Sequence, residues 1–328
     1  MKNVLILGAG ISGLGAARVL STHGANVVVS DLADQLGHKK EEFINAGVQF
    51  CFGPQGDVLL DGMDTVVVSP AIPAENPVVR GAVKRGIPVI SEVELGYRNT
   101  KAPILGVTGT NGKTTTTTLL GKMIKKAGIP CVVAGNIGAS LSLEVSKVPA
   151  NGLIAAELSS FQLEFIDTFK PKAAVILNIT PDHMERHHTM EAYVAAKEAV
   201  ASHQTKADIC VLNYDNDYTR DFADRCPATP VLFSSHHELE NGYFLRGDKI
   251  IKSVNGEEHE LMDIHKDMNL VGLCNVENVM AAIAIAEGMQ VPMETILTVI
   301  RGFHAVEHRI EFVATKGGVD YYNDSKGT

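Results

Sequence analysis

The sequence predicts an α/β protein with a Rossmann-like N-terminal domain, a central P-loop domain with a parallel sheet, and the start of a third α/β domain. Two glycine turns support this prediction, because each lies between a short apolar run and a helix-forming run. Apolar strand-like runs also alternate with helical runs along most of the chain, as in parallel sheets. We place the domains at residues 1–98, 99–302 and 303–328, with a polar linker at 99–103.

Composition excludes several classes of protein. The chain has 328 residues, of which 45% are hydrophobic and 20% charged, as in soluble proteins of two or three domains. Its net charge of −9 argues against a nucleic-acid-binding protein, which would usually have a basic surface. No apolar run approaches the ~18 residues of a membrane span, and the scattered cysteines suit a reducing compartment. We expect a cytoplasmic monomer without nucleic-acid or membrane partners.

The first glycine turn is Gly8–Gly13, with the sequence Gly-Ala-Gly-Ile-Ser-Gly. It follows the strand-like run 2–7 and begins a helix to about His23, after which the strand Asn26–Ser30 ends at Asp31. This is the G-x-G-x-x-G fingerprint followed by an acidic residue at the end of the second strand. The motif conventionally binds NAD or FAD, although the same turn can hold any diphosphate. Further elements complete an open, largely parallel sheet: strands at Asp64–Ser69 and Ile87–Ile90, and a helix at Asn76–Arg85.

The second glycine turn, Gly109–Thr114, follows the strand Ile104–Thr108 and begins a long amphipathic helix. Its layout is that of a phosphate-binding loop, in which backbone N–H groups close around phosphate oxygens. Lys113 would place a positive charge beside the β- and γ-phosphates, and Thr114 would offer a hydroxyl to Mg²⁺. Val107 stands where the strict template has glycine, so the loop is a variant. The alternative is an ordinary glycine-rich turn before a helix.

Polar residues follow the next strands, at the edge of the sheet where ligands bind. Glu157 directly follows the apolar run Leu153–Ala156, where a Mg²⁺ ligand is expected. A helix cap or a solvated carboxylate is the alternative. Asp182 and His183 follow the run Ala173–Ile179, and His183 could bind a metal, contact substrate or make an ordinary hydrogen bond.

Lys197 falls in the middle of the apolar stripe of a predicted helix, Met190–Ser202. A buried ammonium is costly unless it is paired or its charge is changed. The alternative is snorkelling, in which the stem packs against the core and the amine reaches water.

The polar region 214–262 is hard to assign, apart from a predicted surface hairpin around Arg246–Asp248. The pairs His187-His188 and His236-His237 have no spacing typical of metal ligands, and we interpret them as surface residues.

The last elements are predicted from short signals. Asn275–Asn278 would cap a buried, alanine-rich helix to about Glu287, and a further helix follows near Met293–Arg301. A strand-like run, Val319–Tyr322, then precedes a turn.

In this order, the signatures resemble those of the Mur ligase family, ATP-dependent amide-forming enzymes of peptidoglycan precursor synthesis. The matching stretches span nearly the whole chain: Gly109–Thr115, Asn136–Gly138, Glu157–Gln162, Asp182–Met184, Ala195–Lys197, Asn275–Asn278, His308-Arg309 and Asp324–Lys326. The turn Gly8–Gly13 with Asp31 looks most like that of the family member that adds D-glutamate. Asn111 departs from the L-alanine-adding member, which typically has His at this position.

The resemblance implies that the protein adds D-glutamate to UDP-N-acetylmuramoyl-L-alanine through an acyl phosphate, using ATP and two Mg²⁺ sites. The first turn would then bind the uridine diphosphate, with no redox cofactor. The implied UDP-substrate residues are Gly10, Ser12, Gly13, Asp31 and, for the muramoyl part, Asn136. The implied ATP contacts are Gly109, Thr110, Asn111, Gly112, Lys113, Thr114, Thr115, Asn275, Asn278, Arg309 and Asp324.

The resemblance also assigns the metal ligands. Thr114 and Glu157 would hold one Mg²⁺, while His183 and a carbamylated Lys197 would complete the second site. Carbamylation by CO₂ would turn the misplaced cation into an anionic ligand. Lys113, His183 and Lys197 are the expected catalytic residues.

Family members carry a complete third domain, and this chain ends soon after that domain has begun. We therefore expect absent or very low ligase activity from these 328 residues, with the nucleotide and UDP-substrate sites retained. One alternative is a family member that adds a different amino acid. A second is a dinucleotide-dependent oxidoreductase built on Gly8–Gly13, which leaves Gly109–Thr115 unexplained. A third is a non-catalytic nucleotide-binding module.

Overall fold

The computed structural model describes residues 1–34, 36–37 and 39–327. Within these residues the strands form a five-stranded sheet, a nine-stranded sheet and a two-stranded sheet, in chain order. The sheets fall inside the three predicted segments, although the exact domain boundaries stay a prediction. None of the described helices is long and apolar enough to cross a membrane.

The first sheet is entirely parallel. Its region contains β1 (Asn3–Leu7), α1 (Ile11–Thr22), β2 (Asn26–Asp31), α2 (Lys39–Asn45), β3 (Gln49–Phe52), β4 (Thr65–Val68), α3 (Pro77–Lys84), β5 (Val89–Ser91) and α4 (Glu92–Arg98). The strand order is β3-β2-β1-β4-β5. Val4 and Ile6 pack into the core on one face and Leu5 and Leu7 on the other, which explains the continuous apolar run of β1.

The central region holds the larger sheet. Its elements are β6 (Ile104–Thr108), α5 (Lys113–Lys126), β7 (Cys131–Gly135), α6 (Leu141–Glu144), β8 (Leu153–Glu157), α7 (Ser160–Leu163), β9 (Ala173–Ile176), α8 (Met184–His187), α9 (Met190–Glu198), β10 (Ile209–Asn213), α10 (Asp217–Ala223), β11 (Thr229–Ser234), β12 (Gly242–Arg246), β13 (Lys249–Val254), β14 (Glu257–Asp263), α11 (Ile264–Asp267), α12 (Leu273–Gly288) and α13 (Met293–Arg301). The strand order is β14-β13-β12-β11-β10-β9-β6-β8-β7, parallel from β7 to β12.

The central sheet is buried on both faces. Leu105 and Val107 of β6 pack into the core cluster that contains α5 and α12, whereas Ile104 packs into the cluster that contains Tyr193 of α9. β6 therefore lies inside the sheet, between β8 and β9, and the loop that follows it emerges near the middle of the carboxyl edge.

The predicted hairpin around Arg246–Asp248 is present as β12 and β13, with an exposed turn. It is not confined to the surface, because it extends the central sheet, and its residues Tyr243 and Ile250 are buried in the same core as α12. The predicted capping of α12 by Asn275 is wrong, because Gly272 is the N-cap residue. Asn275 lies in the first turn of α12 and donates from Nδ2 to the carbonyl of Val271 at 2.8 Å.

The third sheet is a hairpin of β15 (Glu311–Lys316) and β16 (Val319–Asn323), paired antiparallel. β16 was predicted and β15 was not. The hairpin carries Arg309 before its first strand and Asp324 after its second, so both residues reach the same end of it.

The first and second regions are joined by a buried carboxylate on α4. Glu94 accepts backbone N–H groups from Asp167, Thr168 and Phe169 at 2.9 to 3.0 Å, together with the Thr168 hydroxyl and Arg98 Nε. Burial opposes the ionisation of Glu94, but these donors outweigh burial and lower the pKa of its carboxyl. The charge is thus held by fixed donors from the neighbouring region.

Candidate nucleotide and substrate site

A cavity of about 340 Å³ opens over the phosphate loop at the carboxyl edge of the central sheet. Every predicted ATP contact except Gly109 lines this cavity, and so do Asn136, Glu157 and His183. The lining comes from the phosphate loop, the ends of three neighbouring strands, the first turn of α12 and the two ends of the third sheet's hairpin. Residues that are up to about 200 positions apart in the sequence therefore meet in one place.

The loop needs glycine for its shape. Gly112 is the N-cap residue of α5 and has φ +87°, a left-handed conformation that side chains disfavour. A Cβ at Gly112 would lie 2.1 Å from Oδ1 of Asn278. The loop and α12 therefore lie close together at the cavity, and the N-terminus of α5 lines the cavity, a position suited to an anion.

Lys113 is the first residue of α5, and its amine lies at the loop. Nζ donates to the carbonyls of Gly109 at 2.9 Å and Thr110 at 2.7 Å. Burial lowers the pKa of this amine, Glu157 and Asp182 oppose that effect, and Arg309 adds to it.

Glu157 is the last residue of β8, and its side chain is only 2% exposed. Its Oε1 accepts from Nδ2 of Asn136 at 2.9 Å, whereas Oε2 is buried and has no hydrogen-bond partner. Both alternatives from the sequence are wrong: the carboxylate is not solvated, and the N-cap of α7 is Ser159. A buried, unpartnered carboxylate oxygen beside a phosphate loop fits a hard cation such as Mg²⁺.

Lys197 lies behind the loop and is 2% exposed. Its Nζ donates to the carbonyl of Gly109 at 2.8 Å and lies 4.5 Å from the centre of the Tyr193 ring. Snorkelling is therefore wrong for this residue. Burial, with a further contribution from the positive charge of Lys113, lowers the pKa of Lys197 to about 7, while Asp182 opposes the shift.

His183 faces the cavity from the start of α8. It is the N-cap residue of this short helix and has φ +55°, which is strained for a residue with a side chain. The ring lies within 3.6 Å of carboxylates of Asp182 and Glu185, and it packs on the ring of Phe161. The interpretation of His187 as a surface residue is wrong, because it is buried.

Among residues 1–34, 36–37 and 39–327, no group of three or more His, Cys, Asp or Glu side chains is arranged to hold a metal ion. The predicted ligand sets also include groups of other kinds, the hydroxyl of Thr114 and a modified Lys197.

The predicted UDP-substrate residues are divided between two places. Gly10, Ser12, Gly13 and Asp31 lie at the carboxyl edge of the first sheet, whereas Asn136 lines the central cavity. Gly13 must be glycine, because a Cβ there would lie 1.8 Å from the carbonyl oxygen of Gly8.

Asp31 shapes the first turn directly. Its Oδ2 accepts the N–H of Ala9 at 2.7 Å, and its Oδ1 accepts the N–H of Leu32 at 2.7 Å. Gly10, the N-cap of α1, supplies no capping side chain. The first N–H groups of this helix therefore receive no hydrogen bond from a side chain of the N-cap residue, which suits the end of a helix that binds an anion.

Five lining residues received no ligand role from the sequence: Asn178, Asp182, Cys274, Ile310 and Gly327. Asn178 lies two residues after β9 and exchanges hydrogen bonds with the backbone of Asn111: the N–H of Asn111 donates to Oδ1 at 2.8 Å, and Nδ2 donates to the carbonyl of Asn111 at 3.3 Å. It falls inside the predicted run Ala173–Ile179, whereas β9 ends at Ile176. The rule that strand ends bear ligands selects Asn178 only with the observed end of the strand.

Comparisons with known proteins agree with this architecture. Residues 107–286 match the model of the Mur ligase middle domain, and residues 2–91 match that of the Mur ligase MurD-like N-terminal domain. The match over 2–91 leaves the oxidoreductase alternative without support. Solved structures below 25% identity show the same fold. The UDP-N-acetylmuramate:L-alanyl-gamma-D-glutamyl-meso-diaminopimelate ligase from Neisseria meningitides has a TM-score of 0.64 at 21% identity, covering 94% of this chain and 99% of that one.

Curated relatives are much closer in sequence. The UDP-N-acetylmuramoylalanine--D-glutamate ligase of Lachnospira eligens is 44% identical over 329 aligned residues, which cover 100% of this chain and 73% of the relative. The ligase of the same name from Pelotomaculum thermopropionicum is also 44% identical, with 100% of this chain and 72% of the relative covered. The chain therefore belongs to the Mur ligase family.

Proposed function

We propose that this chain is an ATP-dependent ligase that adds D-glutamate to UDP-N-acetylmuramoyl-L-alanine in peptidoglycan precursor synthesis. The observation that carries the proposal is the single cavity that joins a phosphate loop to the unpartnered oxygen of Glu157. The whole-length similarity to ligases of that name supports the choice of amino acid. A cytoplasmic location and a monomeric state stay predictions.

The reaction needs two steps because a carboxylate is a poor electrophile. The terminal L-alanine carboxylate attacks the γ-phosphorus of ATP, the bond to the bridging oxygen breaks, and ADP leaves. The amine of D-glutamate then attacks the acyl carbon of the acyl phosphate. Phosphate leaves with the bonding electron pair, and the nitrogen loses a proton to give the amide.

The phosphate loop would hold the nucleotide. Backbone N–H groups around Gly112 would bind phosphate oxygens, and Lys113 would turn from its carbonyl partners toward the β- and γ-phosphates. The partial burial of this ammonium strengthens its attraction to the charge that develops during phosphoryl transfer. Asn278 and Arg309 would contact the nucleotide from the opposite walls of the cavity.

The residues that fit magnesium are Thr114 and Glu157 for one ion, and His183 with a carbamylated Lys197 for the second. When bound, Mg²⁺ would supply positive charge that offsets the negative charge of the phosphates. Asn136 keeps the Glu157 carboxylate oriented through Oε1, which leaves Oε2 free to bind the cation.

Carbamylation of Lys197 follows from its burial. With a pKa of about 7, a large fraction of this amine is neutral at physiological pH, and only the neutral amine attacks CO₂. The nitrogen lone pair bonds to the carbon of CO₂, one proton leaves the nitrogen, and an anionic carbamate remains. Mass spectrometry of the intact chain after carbamate trapping would show the added mass of one CO₂, and Lys197→Met would abolish the added mass.

The UDP-substrate would bind the first turn, with the diphosphate at the N-terminus of α1. Gly10 and Ser12 would lie beside it, while Asp31 holds the turn through Ala9. Asn136 would contact the muramoyl part where it reaches the central cavity.

Binding measurements on this chain test the nucleotide site. Lys113→Met should weaken the binding of ATP with Mg²⁺ by about tenfold or more, because a charge-assisted phosphate contact is lost. Lys125→Met is the matched control, since this exposed lysine lies in the last turn of the same helix. Equal ATP affinity in the Lys113→Met variant and the parent would refute the proposed nucleotide site.

The amino-acid specificity is tested on a longer form of the protein that includes a complete third domain, by phosphate release and product mass with UDP-N-acetylmuramoyl-L-alanine as acceptor. That form should use D-glutamate and should not use L-alanine. The expectation of little or no ligase activity from these 328 residues stays a prediction. Robust amide formation would contradict that expectation and would support the proposed reaction.

A further inference from the structure

Arg186 physically connects the first sheet to the central cavity. We propose that Arg186 is a positioning residue that couples binding at the turn Gly8–Gly13 to the placement of His183. The inference rests on the proposed function, because it takes this turn as the site of the UDP-substrate and the central cavity as the site of ATP.

The guanidinium of Arg186 satisfies three acceptors from two regions of the chain. Nη2 donates to the carbonyl of Ile72, beyond β4 of the first sheet, at 2.8 Å. Nε and Nη2 also donate to the two carboxylate oxygens of Glu164 at 3.1 and 2.6 Å. The guanidinium carbon lies 5.0 Å from the centre of the Phe161 ring, and the side chain is only 12% exposed. This planar fork is specific to arginine.

A continuous path leads from Arg186 back to the first turn. The N–H of Ile72 donates to the carbonyl of Ser69 at 3.0 Å. Ser69 donates from Oγ to the carbonyl of Gly8 at 3.2 Å and is buried. A ligand that fixes the position of the turn should therefore also fix the segment 69–72, whose last carbonyl accepts a hydrogen bond from Arg186.

A second path leads from Arg186 forward to His183. The N–H of Arg186 donates to the carbonyl of His183 at 3.0 Å, and the Phe161 ring that lies against the guanidinium also packs on the His183 ring at 4.8 Å. His183 and His188, at the two ends of α8, have φ values of +55° and +65°. Each such conformation costs about 1 kcal/mol and persists only where surrounding contacts hold it.

Arg186 supplies the buried, hydrogen-bonded contact between this strained turn and the first region, beside an exposed one in which Nε2 of His188 lies 3.8 Å from a carboxylate oxygen of Glu75. Both ligand sites therefore bias the same element. Binding at one site should then strengthen binding at the other, and the coupling must be equal in both directions. The residue acts through His183 and does not line the cavity itself.

Isothermal titration of this chain tests the coupling. The dissociation constant of the β,γ-imido analogue of ATP with Mg²⁺ is measured with and without saturating UDP-N-acetylmuramoyl-L-alanine. In the parent, the acceptor should tighten analogue binding by about fivefold or more. In Arg186→Lys and Arg186→Ala, the change should fall below about twofold, while each ligand alone still binds within about threefold of the parent. Loss of fold alone would not remove coupling selectively.

Arg225→Lys is the matched control. Arg225 also makes a two-pronged ion pair, with Glu198, and also lies over an aromatic ring, Phe222 at 4.8 Å. These partners all belong to the central region. The control variant should keep the full coupling.

Three results would overturn the inference. They are no coupling between the two ligands in the parent, full coupling in both Arg186 variants, or a loss of coupling in Arg225→Lys as large as that in the Arg186 variants. If Arg186→Ala proves unfolded in a thermal melt, the coupling measured in Arg186→Lys tests the inference, because lysine keeps the positive charge and lacks the planar guanidinium. If neither ligand binds the parent, the proposed function fails together with the inference. Binding of both ligands without coupling refutes the inference alone.

Discussion

Replacing Lys197 by methionine should change how stability depends on pH. Methionine keeps the apolar stem and removes the amine. The folded state lowers the pKa of Lys197 to about 7, from a usual value of 10.5, chiefly through burial. The unfolded chain therefore binds the proton more strongly than the folded chain does. The resulting destabilisation is complete below about pH 7 and disappears as pH rises toward 10.5.

The size of the effect follows from linkage. At pH 7 about half of the folded molecules have lost this proton, and almost none of the unfolded molecules have. Between pH 7 and pH 9 the parent should therefore gain about 2 kcal/mol of unfolding free energy relative to Lys197→Met. The variant should be the more stable protein at pH 7, and the difference should narrow with rising pH.

The assay is urea unfolding at pH 7, 8 and 9 in buffers freed of CO₂. Other titrating groups contribute to both proteins, so the difference between parent and variant isolates Lys197. A difference that stays constant from pH 7 to 9, or that grows in favour of the variant, would refute the assignment of a buried, weakly basic amine. Adding bicarbonate should stabilise the parent and leave Lys197→Met unchanged, because only the parent can form the carbamate.

Three further outcomes are expected. Glu157→Gln should weaken Mg²⁺-dependent nucleotide binding by about tenfold in calorimetry, because the amide replaces the charged ligand at similar volume; unchanged affinity would count against the metal site. Gly112→Ala should lower the free energy of unfolding in urea by about 2 kcal/mol or more, since the new Cβ would clash with Asn278. Gly128→Ala is the control: its Cβ would meet open space, so only about 1 kcal/mol of backbone strain is expected. Glu94→Gln should lower the free energy of unfolding by about 3 kcal/mol at pH 7. Because folding lowers the pKa of the Glu94 carboxyl, this difference between parent and variant should shrink as the pH drops below 4.5, the usual pKa of that group.

The sequence predicted the parallel parts of the fold well because their strands are buried on both faces. A run such as Ile104–Val107 is apolar at every position except the glycine, and loop residues bound it on both sides. The strand and its two ends can therefore be recognised from the sequence. The strand ends then pointed to Glu157 and His183, and both line the central cavity, although their roles stay predictions. Asn178 was missed because the predicted run Ala173–Ile179 included it, whereas β9 ends at Ile176.

The elements beyond residue 240 were harder to predict because their burial depends on partners distant in sequence. β14 is largely exposed and alternates weakly, so its sequence does not show that it pairs with β13. His187 shows the same limitation at one residue. It is buried because it meets Ser160, 27 positions away, at 2.9 Å, and no local pattern records that contact.

The phosphate loop also explains why a lysine occupies a position where an apolar residue would be more stable. Lys113 and Lys197 both donate to the carbonyl of Gly109, at 2.9 and 2.8 Å, so two ammonium groups share one acceptor. Like charges this close cannot both remain protonated cheaply inside a protein. Burial lowers the pKa of both amines; Glu157 and Asp182 oppose this for Lys113, which faces the cavity, whereas Asp182 opposes it for Lys197, which is buried behind the loop. Under the proposed function, Lys197 would therefore serve as the neutral, nucleophilic amine and Lys113 as the cation for phosphate, a division of roles that stability alone would not favour.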